Sequence, residues 1–372
     1  MNSRLPVVII DLRTWSWTGI GRVTQGVYSC ALELEADFEI WYIVSKNSPI
    51  YKTRSNTICF YSDPFGLMEQ LEFQRMFKKF KGRHAILHSL YFNVPLYVPN
   101  HISLITNFYD VLTGTDEFRT IFHKIAYKIY IWGLKKHRAV ILAQSDFTAK
   151  QIERFHPLWR VIICPPGYKN YLQMEEIDVK ERYGLHRPYF LYVGLNKPRK
   201  NLSGLVRAYK TALESNQNIN FDLVICGPVF DKSSMGFDIK AFIDGEPLLG
   251  DRLHLLGFIP DEHLYSLYKN ASLYIVPSHL ESGYSYPALE ALSAGTPVLL
   301  NEFDMYNFAT SSNAVMFFDG SLSNGARSLE WVIRELLIKS SFEPVDSDKC
   351  DVLSRFSWDE VKKVMRHLYQ TE

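Results

Sequence analysis

Residues 274–300 read YIVPSHLESGYSYPALEALSAGTPVLL. The stretch opens on a short apolar run that stops at Pro277, the signature of a buried strand. A loop of Ser, His and Gly follows. Pro287 then suits the first turn of a helix, where its missing N–H costs nothing. Apolar spacing near 3.6 continues over Ala288–Ala294, and Gly295-Thr296-Pro297 closes the helix before Val298–Asn301, a second strand. Strand, helix, strand is the unit of a parallel sheet. In such sheets a ligand lies beyond the carboxyl ends of the strands, facing the free amides of the next helix. Glu290 falls about one turn inside the helix. Its carboxylate suits the hydroxyls of a ribose, and the alternative is an ordinary solvated helix residue.

The same rhythm runs outward in both directions. Candidate strands are Val7–Asp11, Glu39–Val44, Ala85–His88, Ile102–Thr106, Val140–Ala143 and Val161–Cys164, then Tyr189–Val193, Leu223–Cys226, Leu253–Leu256 and Leu273–Val276. Helical spacing fills most of the intervals, as in Gly204–Leu213. Strands alternating with helices predict parallel sheets covered on both faces. Pro165-Pro166-Gly167 can continue neither element, and the polar stretch Tyr168–Lys180 follows it. The boundary is therefore set at residue 170, giving domains 1–170 and 171–355. A last amphipathic segment, 356–372, begins FSWDEVKKVMRHLYQ, with Ser357 as N-cap and Glu360 three residues on.

The chain has 372 residues, 47% of them apolar and 22% charged, enough for two packed cores and inconsistent with a disordered or fibrous chain. A net charge of +1 provides no global field for nucleic acid. The five cysteines, Cys30, Cys59, Cys164, Cys226 and Cys350, form no metal-ligand spacing and read as free thiols of a reducing compartment. No run of apolar residues reaches the length of a membrane span, and the opening MNSRLPVVIIDLRTW reads as a first strand rather than a leader. The expectation is a cytoplasmic protein.

A second constellation, Val193–Leu202 (VGLNKPRKNL), follows the strand Tyr189–Val193. Gly194 allows a tight turn, and Arg199 and Lys200 place two cations before a helix, where together they can neutralise a diphosphate. A basic pair in that position is otherwise solvent-facing. With both stretches quoted, the chain resembles the family 4 (group 1) glycosyltransferases. Their donor-site signature E-G-F-G-x-P-x-x-E followed by E-A-x-A-x-G-T-P-V is similar to S-G-Y-S-Y-P-A-L-E and E-A-L-S-A-G-T-P-V here, and their pyrophosphate site is similar to P-R-K-N-L. The register puts Ser282 where the family has its first glutamate, with Glu281 one place earlier. Cys226-Gly227-Pro228 and Leu256-Gly257-Phe258-Ile259-Pro260 are lesser similarities.

The resemblance implies a GT-B fold, two Rossmann-like domains with parallel sheets facing a central cleft. It implies that the second domain holds a nucleoside diphosphate sugar and the first, with the terminal helix packed back on it, the acceptor. It further implies retention of anomeric configuration without a metal or other cofactor. Arg199 and Lys200 would stabilise the leaving diphosphate, Glu290 would hold the ribose, and Glu281 or Ser282, with Gly283, Tyr284 and Ser285, would position the sugar. The P-R-K-N-L form is similar to that of bacterial mannosyltransferases of surface polysaccharide, so GDP-mannose leads as donor, with a lipid-linked saccharide as acceptor. A non-catalytic nucleotide-sugar-binding subunit and a sugar-nucleotide epimerase are the rival readings.

In the first half, Gly19-Ile20-Gly21-Arg22 follows the first strand and resembles the family's acceptor-side glycine loop; a simple turn is the alternative. Asp110, after Ile102–Thr106, lies where relatives line the catalytic cleft, although Tyr109 replaces their histidine. His88 reads either as a cleft residue or as a buried structural histidine. Ser145-Asp146-Phe147-Thr148 is similar to the family's Ser-Glu-Phe-Thr segment, with Ser145 an N-cap. Finally, Phe122–Arg138 (FHKIAYKIYIWGLKKHR) interleaves cations with Ile, Tyr and Trp, and Arg75–Arg83 adds Lys78, Lys79 and Lys81. They suit either a core-facing helix with a solvated basic face or contact with an anionic membrane at the inner face of the cytoplasmic membrane.

Overall fold

The computed structural model describes residues 5–17, 19–109, 121–168, 175–216, 218–227, 238–279, 281, 284–303, 306, 309–310, 312–339, 341–346 and 350–372. The chain divides into two units, residues 1–167 with 356–372, and residues 168–355.

The first unit contains β1 Val7–Asp11, α1 Ile20–Leu34, β2 Glu39–Ser45, β3 Thr57–Phe60, α2 Leu67–Lys79, β4 Ala85–Ser89, β5 Ile102–Phe108, α3 Ile121–Lys136, β6 Val140–Ala143, α4 Asp146–Phe155 and β7 Arg160–Ile163. The second contains α5 Val179–Tyr183, β8 Tyr189–Val193, α6 Leu202–Ser215, β9 Asp222–Cys226, α7 Ile239–Asp244, β10 Leu253–Gly257, α8 Asp261–Lys269, β11 Leu273–Val276, α9 Tyr286–Ser293, β12 Val298–Asn301, β13 Val315–Phe318 and α10 Leu329–Leu337. Helix α11, Trp358–Thr371, returns to the first unit.

Each unit is one parallel sheet. The orders are β3-β2-β1-β4-β5-β6-β7 and β10-β9-β8-β11-β12-β13. In both, the strand order reverses beside the first strand, between β1 and β4 and between β8 and β11. This is the doubly wound Rossmann arrangement, and its ligand position lies at those reversal points. Inner strands such as β1, β4, β9 and β11 are buried along their whole length, as burial of both faces requires. The predicted strands recur within a residue or two at their ends. The two that the pattern missed, β3 and β13, each lie at one edge of their sheet. Only Phe60 of β3 is buried, whereas β13 reads VMFF, a four-residue apolar run that the pattern did not single out.

Capping follows the sequence. Ser145 Oγ accepts the Thr148 N–H at 3.0 Å, and Ser357 Oγ accepts that of Asp359 at 3.1 Å. The reciprocal box expected from Glu360 gives way to a pair with Lys363. Helix α11 packs on α1. A Cβ built at Gly26 would meet the Trp358 ring at 2.0 Å, and Lys362 and Arg366 pair with Glu33 and Asp37.

His88 proves to be the structural histidine. It is fully buried on β4, with Nε2–H donating to Asn107 Oδ1 at 2.9 Å and Nδ1 accepting from the Tyr369 hydroxyl of α11 at 2.7 Å. Burial pushes its pKa from 6.5 down to about 4, the bond to Asn107 opposing. The unfolded chain therefore binds the extra proton first. Stability from this group is complete above pH 6.5 and is lost as pH falls towards 4, by on the order of 3 kcal/mol. Denaturant unfolding between pH 7 and 4.5 is expected to show this slope, and His88→Gln to flatten it. An unchanged slope in the variant would assign the loss to other groups.

Candidate functional site

In the second unit, the loops after β8 and β11 emerge side by side at the reversal of strand order. Arg199 and Lys200 sit on a single 3-10 turn, Pro198–Lys200, that leads into α6 through Asn201. The two loops are tied by the His279 N–H donating to the Arg199 carbonyl at 2.9 Å. Glu281, on the second loop, is 6% exposed. Its carboxylate lies 2.5 Å from Lys200 Nζ and 3.4 Å from Arg199 Nη1. The cations keep more contact with solvent, with side chains 22% and 32% exposed. Two positive charges against one negative leave the cluster positive and reachable.

Burial lowers the Lys200 pKa, and Glu281 opposes it. Two tyrosines adjoin the same carboxylate. Burial first, and then the charge of Glu281, raises the hydroxyl pKa of Tyr192 and of Tyr306. Tyr306 also accepts the Ser285 N–H at 3.2 Å, at the start of α9. Glu281 thus turns inward, towards the two cations. Ser282 and Gly283 lie outside the described residues.

Glu290 is not a solvated helix residue. It is 1% exposed on α9 and accepts the Tyr268 hydroxyl at 3.0 Å through Oε2. Thr296, in the Gly-Thr-Pro turn, donates to the Tyr268 carbonyl at 2.5 Å and so fixes the tyrosine from the other side. Between the carboxylates stands Tyr274 of β11. Its ring meets that of Tyr268 at 5.6 Å, and its hydroxyl donates to the Val193 carbonyl at 3.1 Å. Burial raises its pKa, and Tyr192, Glu290 and Glu281 add to the shift. Arg199, Lys200, Glu281 and Glu290 are therefore gathered around one buried tyrosine framework. The sequence reading missed Tyr192, Tyr268, Tyr274 and Tyr306. Nothing local marks them among 22 tyrosines; only a buried hydroxyl in need of a partner does.

Two of the glycines are required by the chain's own packing. A Cβ at Gly194 would lie 2.8 Å from the Tyr192 hydroxyl, and one at Gly21 2.5 Å from the Trp15 carbonyl. The position that a side chain would take at Gly21 is thus filled by the chain's own backbone. Gly19, the residue before α1, adopts φ 70° and faces open space. Tyr284 is half-buried, its ring 6.1 Å from that of Tyr306. In the first unit, Asp110 lies outside the described residues, and the Tyr109 ring stacks on Tyr91 at 5.9 Å.

Removing the Tyr268 hydroxyl takes one hydrogen-bond donor from a buried carboxylate. Tyr268→Phe is expected to cost about 1–3 kcal/mol in denaturant unfolding, with the secondary structure unchanged by circular dichroism. A loss under about 0.5 kcal/mol, within the range of an ordinary surface change, would show that Glu290 is held by other means.

Residues 173–315 match the sequence model of the family described as Glycosyl transferases group 1. O-antigen chain mannosyltransferase B of Escherichia coli is 31% identical over 167 residues, which span 43% of this chain and 42% of that protein. Among solved structures, Anabaena Alr3699/HepE, in complex with UDP and glucose, superposes with a TM-score of 0.70 at 13% identity, covering 99% of this chain and 100% of that one. WaaG, a glycosyltransferase involved in lipopolysaccharide biosynthesis, does so with a TM-score of 0.63 at 16% identity, covering 98% and 95%. Over its second unit, where the cations and both carboxylates lie, this chain is similar in sequence to the group 1 glycosyl transferases and to mannosyltransferases of O-antigen synthesis, on a GT-B fold.

Proposed function

We propose that the protein is a retaining hexosyltransferase that moves mannose from GDP-mannose to a lipid-linked saccharide in surface polysaccharide synthesis, at the cytoplasmic face of the membrane. The observation that carries the proposal is the Arg199–Glu281–Lys200 cluster at the reversal point of the second sheet. An incoming diphosphate, more highly charged than a carboxylate, competes with Glu281 for the two cations. The displaced carboxylate is then next to the donor sugar and can accept from its hydroxyls. Glu290, held by Tyr268, takes the ribose.

In the reaction the bond from the anomeric carbon to the phosphate oxygen breaks, and charge grows on the diphosphate. Arg199 and Lys200 stabilise that charge in a partly dehydrated site, where a fixed cation is worth more than in water. The acceptor hydroxyl joins the anomeric carbon on the face the phosphate leaves, and its proton passes to the departing phosphate oxygen. This assigns the electrostatic work to side chains rather than to a metal. Similarity to O-antigen mannosyltransferases supports the sugar and the acceptor class.

The test is a panel of radiolabelled GDP-, UDP- and dTDP-sugars with lipid extracts of the parent organism. Label is expected to enter the lipid fraction from GDP-mannose and to keep doing so in EDTA. Lys200→Ala is expected to lower kcat by about 10²-fold or more, the loss typical of one removed transition-state donor. Hydrolysis or isomerisation of donor without incorporation would favour an epimerase, and nucleotide binding without turnover a non-catalytic subunit.

A further inference from the structure

Helix α3 turns an unexpected face to solvent. Its inner face is anchored by Tyr127, Tyr130 and Leu134 in the core. The opposite face is not simply basic. Ile125, Ile129 and Trp132, spaced four and three residues apart, are 49%, 42% and 54% exposed. Lys128, Lys135 and Lys136 are exposed beside them, and the Lys136 ammonium lies 4.7 Å from the centre of the Trp132 ring. The helix IFHKIAYKIYIWGLKK contains no acidic residue.

Helix α2 repeats the pattern. Met68 and Leu71 are 61% and 50% exposed, with Arg75 and Lys78 one and two turns on. Both of its acids are directed elsewhere. Glu69 is buried against Arg13, 2.6 Å away, and Glu72 accepts the backbone N–H groups of Tyr61 and Ser62 at 2.8 and 3.1 Å. Residues 96–97 join the two helices. The Leu96 N–H donates to Gln70 Oε1 at 2.8 Å, the Leu96 carbonyl pairs with His137 Nε2 at 3.1 Å, and Gln74 Nε2 donates to the Tyr97 carbonyl at 2.9 Å. The Tyr97 side chain there is 59% exposed.

We infer that α3, with α2 beside it, is a docking face for an anionic phospholipid bilayer, on which the protein lies peripherally. Bulky apolar side chains on a solvent face cost solubility and gain nothing from water, whereas the acyl boundary receives them and the lysines meet lipid phosphates. A tryptophan with a lysine over its ring suits the headgroup level, where one end is apolar and the other wet. Among the described residues no helix is long and apolar enough to cross a membrane, so α3 would lie on the surface rather than span it. Charge complementarity selects anionic over neutral lipid. The inference does not need the donor assignment.

The full chain is to be sedimented with vesicles of phosphatidylcholine alone and of phosphatidylcholine with roughly a third phosphatidylglycerol, the latter giving the negative surface that polybasic segments sense. Binding is expected to be at least about tenfold stronger to the anionic vesicles and to weaken with salt. Ile129→Ser with Trp132→Ser is expected to lower it about tenfold or more. Lys128→Gln, Lys135→Gln and Lys136→Gln together should remove the lipid preference. These side chains are exposed, so unfolding curves and nucleotide binding should match the parent protein. Equal binding to both vesicles, or variants that bind like the parent, would overturn the inference. So would stripe variants that turn an oligomer into a monomer while vesicle binding is unchanged, since the face would then be a self-association surface.

Discussion

The second unit is organised around a carboxylate that sits between two cations at the carboxyl edge of a parallel sheet. Neither partner could occupy that corner alone. A lone ammonium taken out of water loses several kcal/mol of hydration, and breaking a fully buried pair costs about 3–5 kcal/mol. Glu281, 2.5 Å from Lys200, removes that obstacle while the site is empty. Because the cations remain partly exposed, the same charge is available to a stronger anion. The tyrosines around it supply a rigid frame, with hydroxyls bound to Val193, Leu195, Glu290 and Ser285.

The first unit places a comparable set of charges at its own reversal point, with a different result. Arg13, just after β1, lies 2.5 Å from Asp11 and 2.6 Å from Glu69, and the rings of Phe60 and Phe73 lie 4.7 and 5.4 Å from its guanidinium carbon. Asn93 donates to Glu69 as well, at 2.9 Å. Here both acids and the cation are almost wholly buried. Arg13 is thus a structural cation, its charge matched by two buried carboxylates. Arg199 and Lys200 differ in exposure more than in chemistry, and exposure is what makes a cation usable.

Much of the fold was legible because parallel strands buried on both faces must be apolar along their length. Val7–Asp11, Val140–Ala143, Leu273–Val276 and Val298–Asn301 were marked residue for residue. Thr57–Phe60 was not, since three of its four residues are only half-buried and Thr57 breaks the apolar pattern; Val315–Phe318 is apolar throughout and went unmarked. Ser145 and Ser357 were readable as caps because capping is local, satisfied two or three residues along the chain. The glycine loop after β1 was ambiguous for the opposite reason. A glycine records only that something comes close, and at Gly21 that something is the protein's own Trp15 carbonyl.

The sequence by itself determined the two parallel sheets, the position of the loops that carry Arg199-Lys200 and Glu281, and the similarity to a glycosyltransferase donor signature. These follow from periodicity and from short motifs, which are properties of neighbours along the chain. Tertiary structure alone decided that Glu281 pairs with both cations, that Tyr268 holds Glu290, that His88 is sealed beneath α11, and that α3 exposes isoleucine and tryptophan beside its lysines. Each of these depends on which surfaces meet when distant segments pack. Burial and charge pairing are set by that meeting, and residue order does not encode it locally.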